Sequence, residues 1–399
     1  MANTNTPAPA SSGVADDACA LFTQIDRLFG DNSDLFFQQI LNERLRLVCE
    51  CDPTLKNKNI AAKLMSPFYY AELKHPLSIG TKEWHQIEQD ALFLFDDWAQ
   101  AWCGYKIWKL KKGYHSLNDS ALDQSQGSLS LSEADYFDSV IDGIEHHSKH
   151  YYTLHCQHAL TLPDAIVLIN LSTFVWQHKW YEMLYEINQS TYGTHFILAT
   201  QVADSDTALI VASAKINHHT HAEQWLYFSP FFQTDSWHLL ATKKTVDQLS
   251  DHGLLDNQDI PRHSSAHFEN SLWQKIVSHQ QCCEIIRLTV SGNQSQMIFY
   301  LYLAQKRLME QLFSLRYKIA FVVIEQPLMI QYYLSLGETV FSQLSTSHVS
   351  SSEFATYKGL WFIQPLNQEL ARASYKSYKK LTISQLKKYR NHGHKPHYA

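Results

Sequence analysis

The chain is poor in the residues from which the commonest nucleotide and hydrolase sites are built. It has 13 glycines in 399 residues. Neither GxxxxGK[ST] nor GxGxxG occurs, so the two usual backbone cradles for phosphate are missing. The absence of GxSxG removes the familiar serine-hydrolase elbow. Cysteine is present seven times (Cys19, Cys49, Cys51, Cys103, Cys156, Cys282, Cys283). An odd count without CxxC speaks against a disulfide framework and a zinc ribbon. Long apolar runs are lacking as well: the longest, around Ala165–Trp176 and Met297–Ala304, are too short to span a bilayer. Met1 to Gly13 has no basic start and no apolar stretch, so no signal peptide is expected and the cytoplasm is the expected location.

What is present is apolar and aromatic. Hydrophobic residues make up 45 % and aromatics 13 %, enough for a sizeable core, and the length suggests two or three domains. Charge is uneven. From Leu366 onward eight basic residues face the single acid Glu369, a segment of +7 in a chain of net −6. The remainder is therefore at −13, and a basic tail on an acidic body points to an anionic partner or to a simply solvated end.

Periodicity divides the chain. Residues 1–18 read as disordered, and a helical region is expected over 19–150, with Leu35, Phe36, Ile40, Leu41, Leu45 and Val48 at three-to-four spacing. Within it a Ser/Asp/Gln-rich linker is expected near 116–135 and a short helix across Tyr136–His150. From 151 to 365 alternating β-branched and aromatic runs predict strands at His195–Thr200, Ala208–Ile216, Trp225–Phe228, Glu284–Val290 and Ile319–Ile324. Helices are expected at Leu168–Tyr185, Met297–Arg316 and Pro327–Leu336. Strands alternating with helices predict an α/β domain, followed by the basic tail 366–399.

The order strand–helix–strand–helix ending in QYYLSLG (Gln331–Gly337) resembles the acyl-carrier half of Gcn5-related N-acyltransferases. One branch of that superfamily fits further. CEIIRLTV supplies Glu284, Arg287 and Val290 in an E-x-x-R-x-x-V spacing before the long helix, INLSTFVWQHKW places Phe174 and Trp180 six apart, and YEINQSTYGTHFIL keeps Glu186. ASAKIN (Ala212–Asn217) puts Lys215 on the strand where the pattern has an arginine. Together these resemble the acyl-homoserine-lactone synthases, and the length with its helical N-terminal region resembles the LuxM/AinS-type autoinducer synthases. The sequence departs from the pattern at Asn170, Asn188, Thr191 and Lys215, where one arginine, two aspartates and a second arginine are expected. Opposite charges are lost together, which limits the electrostatic damage.

The resemblance implies a Gcn5-related mixed sheet flanked by helices and a two-step reaction. The α-amine of S-adenosylmethionine attacks an acyl thioester, delivered by acyl carrier protein or coenzyme A. Its carboxylate then displaces methylthioadenosine to close the lactone. It implies Glu284 and Arg287 as catalytic, and Phe174, Trp180, Glu186 and Lys215 as substrate-binding. On an unbroken strand Glu284 would share a face with Ile286, Leu288 and Val290, while Arg287 would point the other way unless the strand is bulged. Burial beside such a face would raise the Glu284 pKa toward that of a working base. Taken alone, without the wider order, Glu284 and Arg287 read as a surface or rim ion pair on a strand, and Phe174 and Trp180 read equally as core aromatics. Lys379, Lys380, Lys387, Lys388 and Arg390 form one basic patch if Leu381–Tyr389 is helical, suited to an acidic carrier protein.

Other readings carry less. A different N-acyltransferase would want a glycine-rich pyrophosphate loop where SGNQSQ stands, and a non-enzymatic adaptor or nucleic-acid binder would use the basic tail and the helical N-terminal region. No nucleic acid, cofactor or metal is expected. The histidines at 146, 147, 150, 155 and 158, and at 218, 219 and 221, read as structural or solvated, and Cys282 and Cys283 as small buried hydrophobes.

Overall fold

The computed structural model describes residues 12–51, 82–95, 98–114, 129–181, 183–202, 205–256, 260–324, 327–337, 339–347 and 355–391. By its internal contacts the chain divides into two compact units: Met1–Asn118 with Asn170–Asn188, and Asp119–Ile169 with Gln189–Ala399.

In the first unit the helical periodicity becomes α1 (Ser12–Phe29), α2 (Ser33–Cys51), α3 (Lys82–Leu94) and α4 (Trp98–Lys112). Their apolar stripes meet in an aromatic core in which Phe37 and Trp102 stack with centroids 6.4 Å apart and Phe37 meets Trp98 edge-on at 5.9 Å. Asp34 ties α2 to α4 by accepting from Trp102 Nε1 and Lys106 Nζ, both at 2.8 Å. The first helix starts at Ser12, inside the stretch expected to be disordered. Residues 1–11, and 115–128 of the expected linker, lie outside the described residues.

The second unit is a mixed, mostly antiparallel sheet with helices. In chain order its elements are β1 (Tyr136–Ile141), β2 (His150–Thr153), β3 (Cys156–Thr161), α5 (Leu162–Asn170), β4 (Thr194–Gln201) and β5 (Ala208–His218). The short α6 (Met183–Glu186), in the first unit, intervenes after α5. The second unit continues with β6 (His238–Leu239), α7 (Lys243–Asp251), α8 (Ser265–Lys275), β7 (Cys282–Val290), α9 (Gln294–Ser314), β8 (Ile319–Ile324) and α10 (Pro327–Leu336). Last come β9 (Phe341–Ser347), β10 (Thr356–Phe362), α11 (Ile363–Arg372) and α12 (Tyr375–Asn391). Among the described residues the strand order is β1-β4-β5-β7-β8-β10-β9-β6, with β2 parallel to β5 and β3 beside β2.

Two ladder features set up the site. Strands β7 and β8 run parallel but pair only from Cys282↔Ile319 to Ile285↔Val322. Between β5 and β7 the register jumps, from Lys215↔Ile286 to Ser213↔Thr289, so β7 carries one extra residue. Alternate residues keep the faces distinct elsewhere. Cys283, Ile285, Phe196 and Ala214 look into a core shared with Phe299, Tyr302 and Leu308 of α9 and Tyr378 of α12. Cys282, Phe321, Leu360 and Phe362 look the other way, onto Trp225, Tyr227, Leu249 and Phe268.

Several expectations are corrected. Tyr136–Ile141 is a strand paired along its whole length with β4, not part of a helix. Its alternation was obscured by Asp138 and Ser139, and pairing with a buried neighbour overrides weak propensity. Trp225–Phe228 is not a strand but turns at 3₁₀ geometry. The helix expected at Leu168–Tyr185 begins earlier, at Leu162, and passes into a π-helical stretch over Leu171–Gln177. In the basic C-terminal segment α11 and α12 bury Leu366, Leu370, Tyr378 and Thr382.

Candidate active site

The extra residue in β7 decides which side chains meet. Because the strand slips by one at Arg287–Leu288, Leu288 and Val290 fall against the α9 core beside Ile285. The expectation that they continue the face of Glu284 is thus corrected. Arg287 joins that face instead, and so does Thr289, whose hydroxyl lies 3.2 Å from Ser213 Oγ of β5. Arg287 adopts φ +57 to do so. A left-handed conformation in a residue with a Cβ costs about 1–3 kcal/mol, so the rest of the fold must impose it.

Glu284 is fully buried, with 0 % exposure. Its carboxylate accepts from Asn217 Nδ2 at 2.6 Å, from the Tyr227 amide at 2.6 Å and from the Leu226 amide at 3.2 Å. Those amides belong to the turn that the sequence had suggested was a strand. Burial pushes the carboxyl up to about 7, although the three donors and Arg287 pull it down.

Lys215 stands across from His195 in the β4–β5 ladder. Its stem passes Gly193, where a Cβ would lie 3.5 Å from Lys215 Cε, and the backbone there takes φ +85. The ammonium sits 4.0 Å from the centre of the Tyr192 ring. Burial and the neighbouring Arg287 lower its pKa to about 8, against the pull of Glu284. The Arg287 guanidinium donates to Ser190 Oγ. Lys215, Arg287 and Glu284 therefore share one buried face, and Glu145 also draws on Lys215.

Phe174 and Trp180 are brought together in the first unit. Their rings meet edge-to-face at 5.9 Å, the Trp180 amide donates to the Phe174 carbonyl at 3.0 Å, and both are buried. Glu186 ends α6, and its side chain lies outside the described residues. On α12 Lys380 is exposed and Lys379 lies 5.8 Å from the Tyr375 ring, whereas the side chains of Lys387, Lys388 and Arg390 fall outside the described residues.

Sequence reasoning did not single out Asn217, His195, Ser190 or Tyr192. Asn217 was within reach, since it follows Lys215 by two on one strand and so shares its face. His195 needed the register, which sequence alone does not supply. Three of the clustered histidines have local partners: His147 with Tyr151 Oη at 3.0 Å, His155 with Ser291 Oγ at 3.0 Å, and His218 with Thr194 Oγ1 at 2.9 Å. Burial pushes the Cys282 thiol up to about 12 and Cys283 also upward.

The family model described as acyl homoserine lactone synthase matches residues 15–391. The chain is 31 % identical over 284 residues to the acyl-homoserine-lactone synthase LuxM of Vibrio atlanticus, covering 71 % of each chain. It is 30 % identical over 287 residues to the synthase OpaM of Vibrio parahaemolyticus, covering 72 % of this chain and 71 % of that one. Against LuxM of Vibrio harveyi the identity is 29 % over the same length and coverage. No solved structure matches significantly.

Proposed function

The chain belongs to the acyl-homoserine-lactone synthases, enzymes that make quorum-sensing signals, and from that premise we propose that its reaction takes place on the face carrying Glu284, Arg287 and Lys215. In the proposed sequence the α-amine of S-adenosylmethionine attacks an acyl thioester, and the carboxylate then displaces methylthioadenosine to close the lactone. The single observation that carries this reading is the β7 bulge, which places Arg287 beside Lys215 on the face of Glu284. Two cations there suit a substrate carboxylate. A carboxyl group with a pKa near 7 suits a base for the amine, being substantially ionised at neutral pH yet strong enough to take a proton. Ring closure is intramolecular, so proximity supplies most of its acceleration.

The proposed fold relationship is to the Gcn5-related N-acyltransferases. What supports it is the parallel β7–β8 pair whose ladder stops at Ile285, so that the strands part where an acyl-pantetheine arm would enter and pair with backbone. Acyl carrier protein or coenzyme A would deliver the acyl group. For a carrier protein the proposed dock is α12, with Lys379, Lys380, Lys387, Lys388 and Arg390. Phe174, Trp180 and Glu186 are retained as proposed substrate-binding positions, the two rings being suited to a cationic ligand group.

Replacing Glu284 by Gln tests the base. Turnover should fall roughly 10²–10⁴-fold with little change in substrate affinity. Near-normal turnover would remove Glu284 from the chemistry. Because Glu284 also holds the amides of Leu226 and Tyr227, a melting curve must accompany the kinetics. For Trp180→Ala, S-adenosylmethionine binding should weaken while acyl-thioester affinity stays unchanged. Loss of both would reduce Trp180 to a core residue.

A further inference from the structure

His195 is buried on this face and has no part in the reaction as described. It is 1 % exposed, stands directly across the ladder from Lys215, and feels the charges of Lys215 and Arg287. Its Nδ1 lies 3.4 Å from the Gly193 carbonyl, which can only accept, so a bond there puts the ring proton on Nδ1. Nε2 is then a lone-pair acceptor, and among the described residues it has no hydrogen-bond partner. A buried polar atom left in this state costs free energy and calls for an explanation. Protonation does not supply one, because burial and the two cations lower the imidazole pKa to about 3.

The face thus offers two fixed cations and one neutral acceptor. A carboxylate alone would leave Nε2 orphaned, and an ammonium alone would bring nothing to Lys215 and Arg287. The end of an α-amino acid satisfies all three groups at once. Resting on the reading of this face as the S-adenosylmethionine site, we propose that His195 is a substrate-binding residue whose Nε2 accepts a hydrogen bond from the α-amino group while Lys215 and Arg287 hold the α-carboxylate. The contact orients the amine and selects for it, and the proton lost on acylation goes to Glu284 rather than to an imidazole flanked by cations.

The experiment is a set of calorimetric titrations with S-adenosylmethionine and with its analogue lacking the α-amine, both still carrying the sulfonium and the carboxylate. Wild type should prefer the amine-bearing ligand by about tenfold, the scale of one hydrogen bond. The His195→Phe variant should lose that preference, weakening for S-adenosylmethionine but not for the analogue. His195→Gln, whose amide oxygen can accept, should recover part of it and serves if the Phe variant fails to fold. Equal weakening toward both ligands, or unchanged preference in both variants, overturns the role of His195 while leaving the site assignment intact. Failure of wild type to bind S-adenosylmethionine overturns the site assignment and this inference with it.

Discussion

One face of the sheet buries charge in two places, and they are built differently. On β10 and α8, Lys358 and Glu269 are both fully buried and form a closed pair. Lys358 also donates to the Phe232 carbonyl at 2.9 Å and lies 4.2 Å from the Tyr227 ring, while Glu269 accepts from Ser345 Oγ at 2.6 Å and Ser265 Oγ at 3.0 Å. One cation meets one anion, and the remaining polar atoms are supplied by neighbours. On β4, β5 and β7 two cations, Lys215 and Arg287, share a face with Glu284, the arginine is left-handed, and His195 Nε2 has no hydrogen-bond partner among the described residues. Tyr227 touches both places, its ring under Lys358 and its amide on Glu284. A closed buried pair supports the fold, whereas perturbed titratable groups gathered on one face mark a place where a ligand can bind.

The contrast can be broken most forcefully at Lys358. Lys358→Met strands Glu269 without its partner and should cost about 3–5 kcal/mol in denaturant unfolding. Lys215→Met, in the other place, should leave stability unchanged or raise it, because it removes a desolvated cation beside another. Comparable losses for both would erase the distinction.

Arg287→Lys comes next. A point charge cannot reproduce the planar fork, so kcat/KM for S-adenosylmethionine should drop roughly 10–100-fold with stability little altered. A kinetically silent variant would take Arg287 out of the site.

The pH profile sharpens the comparison further. Glu284 must be ionised to accept a proton, so kcat/KM should rise through about pH 7. Lys215 must stay charged to hold a carboxylate, so kcat/KM should fall above about pH 8. Lys215→Arg should move the alkaline limb upward and leave the acid limb in place. Linkage gives matching signs for stability. The raised Glu284 pKa favours the fold at low pH, an advantage lost between the unfolded value near 4.5 and about 7. The lowered Lys215 pKa relieves the fold as pH climbs from about 8 toward 10.5.

The smallest effect concerns α12. Neutralising Lys379, Lys380, Lys387, Lys388 and Arg390 should lower kcat/KM a few-fold with an acyl carrier protein at low salt, and not with acyl-coenzyme A. The loss should fade as salt rises, since exposed charges are screened beyond about 8 Å at physiological ionic strength. An unaffected carrier-protein reaction at low salt would sink the docking idea, and equal losses with both donors would point to damaged folding.

The sequence revealed the central elements better than the edges. Pro327–Leu336 and Ile319–Ile324 have the bounds their patterns imply, because each is long or apolar enough to stand alone. Phe341–Ser347 and Thr356–Phe362 escaped notice. The first is rich in serines whose value is tertiary, Ser345 serving Glu269 and Ser342 serving Thr245. Trp225–Phe228 has a strand composition, yet its amides are taken by a carboxylate on β7 rather than by a ladder. Glu284, Arg287 and Lys215 were legible by spacing and resemblance. Their arrangement was not, since period-two reasoning assumes an unbroken strand and the bulge cancels it at the residue that matters.

The bond from Glu284 to the turn at Leu226 has a consequence for the order of events on the ribosome. The carboxylate emerges 58 residues after the amide it fixes. Lys358, which secures Phe232 just beyond the same turn, emerges 126 residues after its acceptor. Until Glu284 arrives, the Leu226 and Tyr227 amides lack the carboxylate that fixes them. Contacts of such long sequence separation form late and slowly. The turn therefore takes its final form only once β7 and β10 have been made.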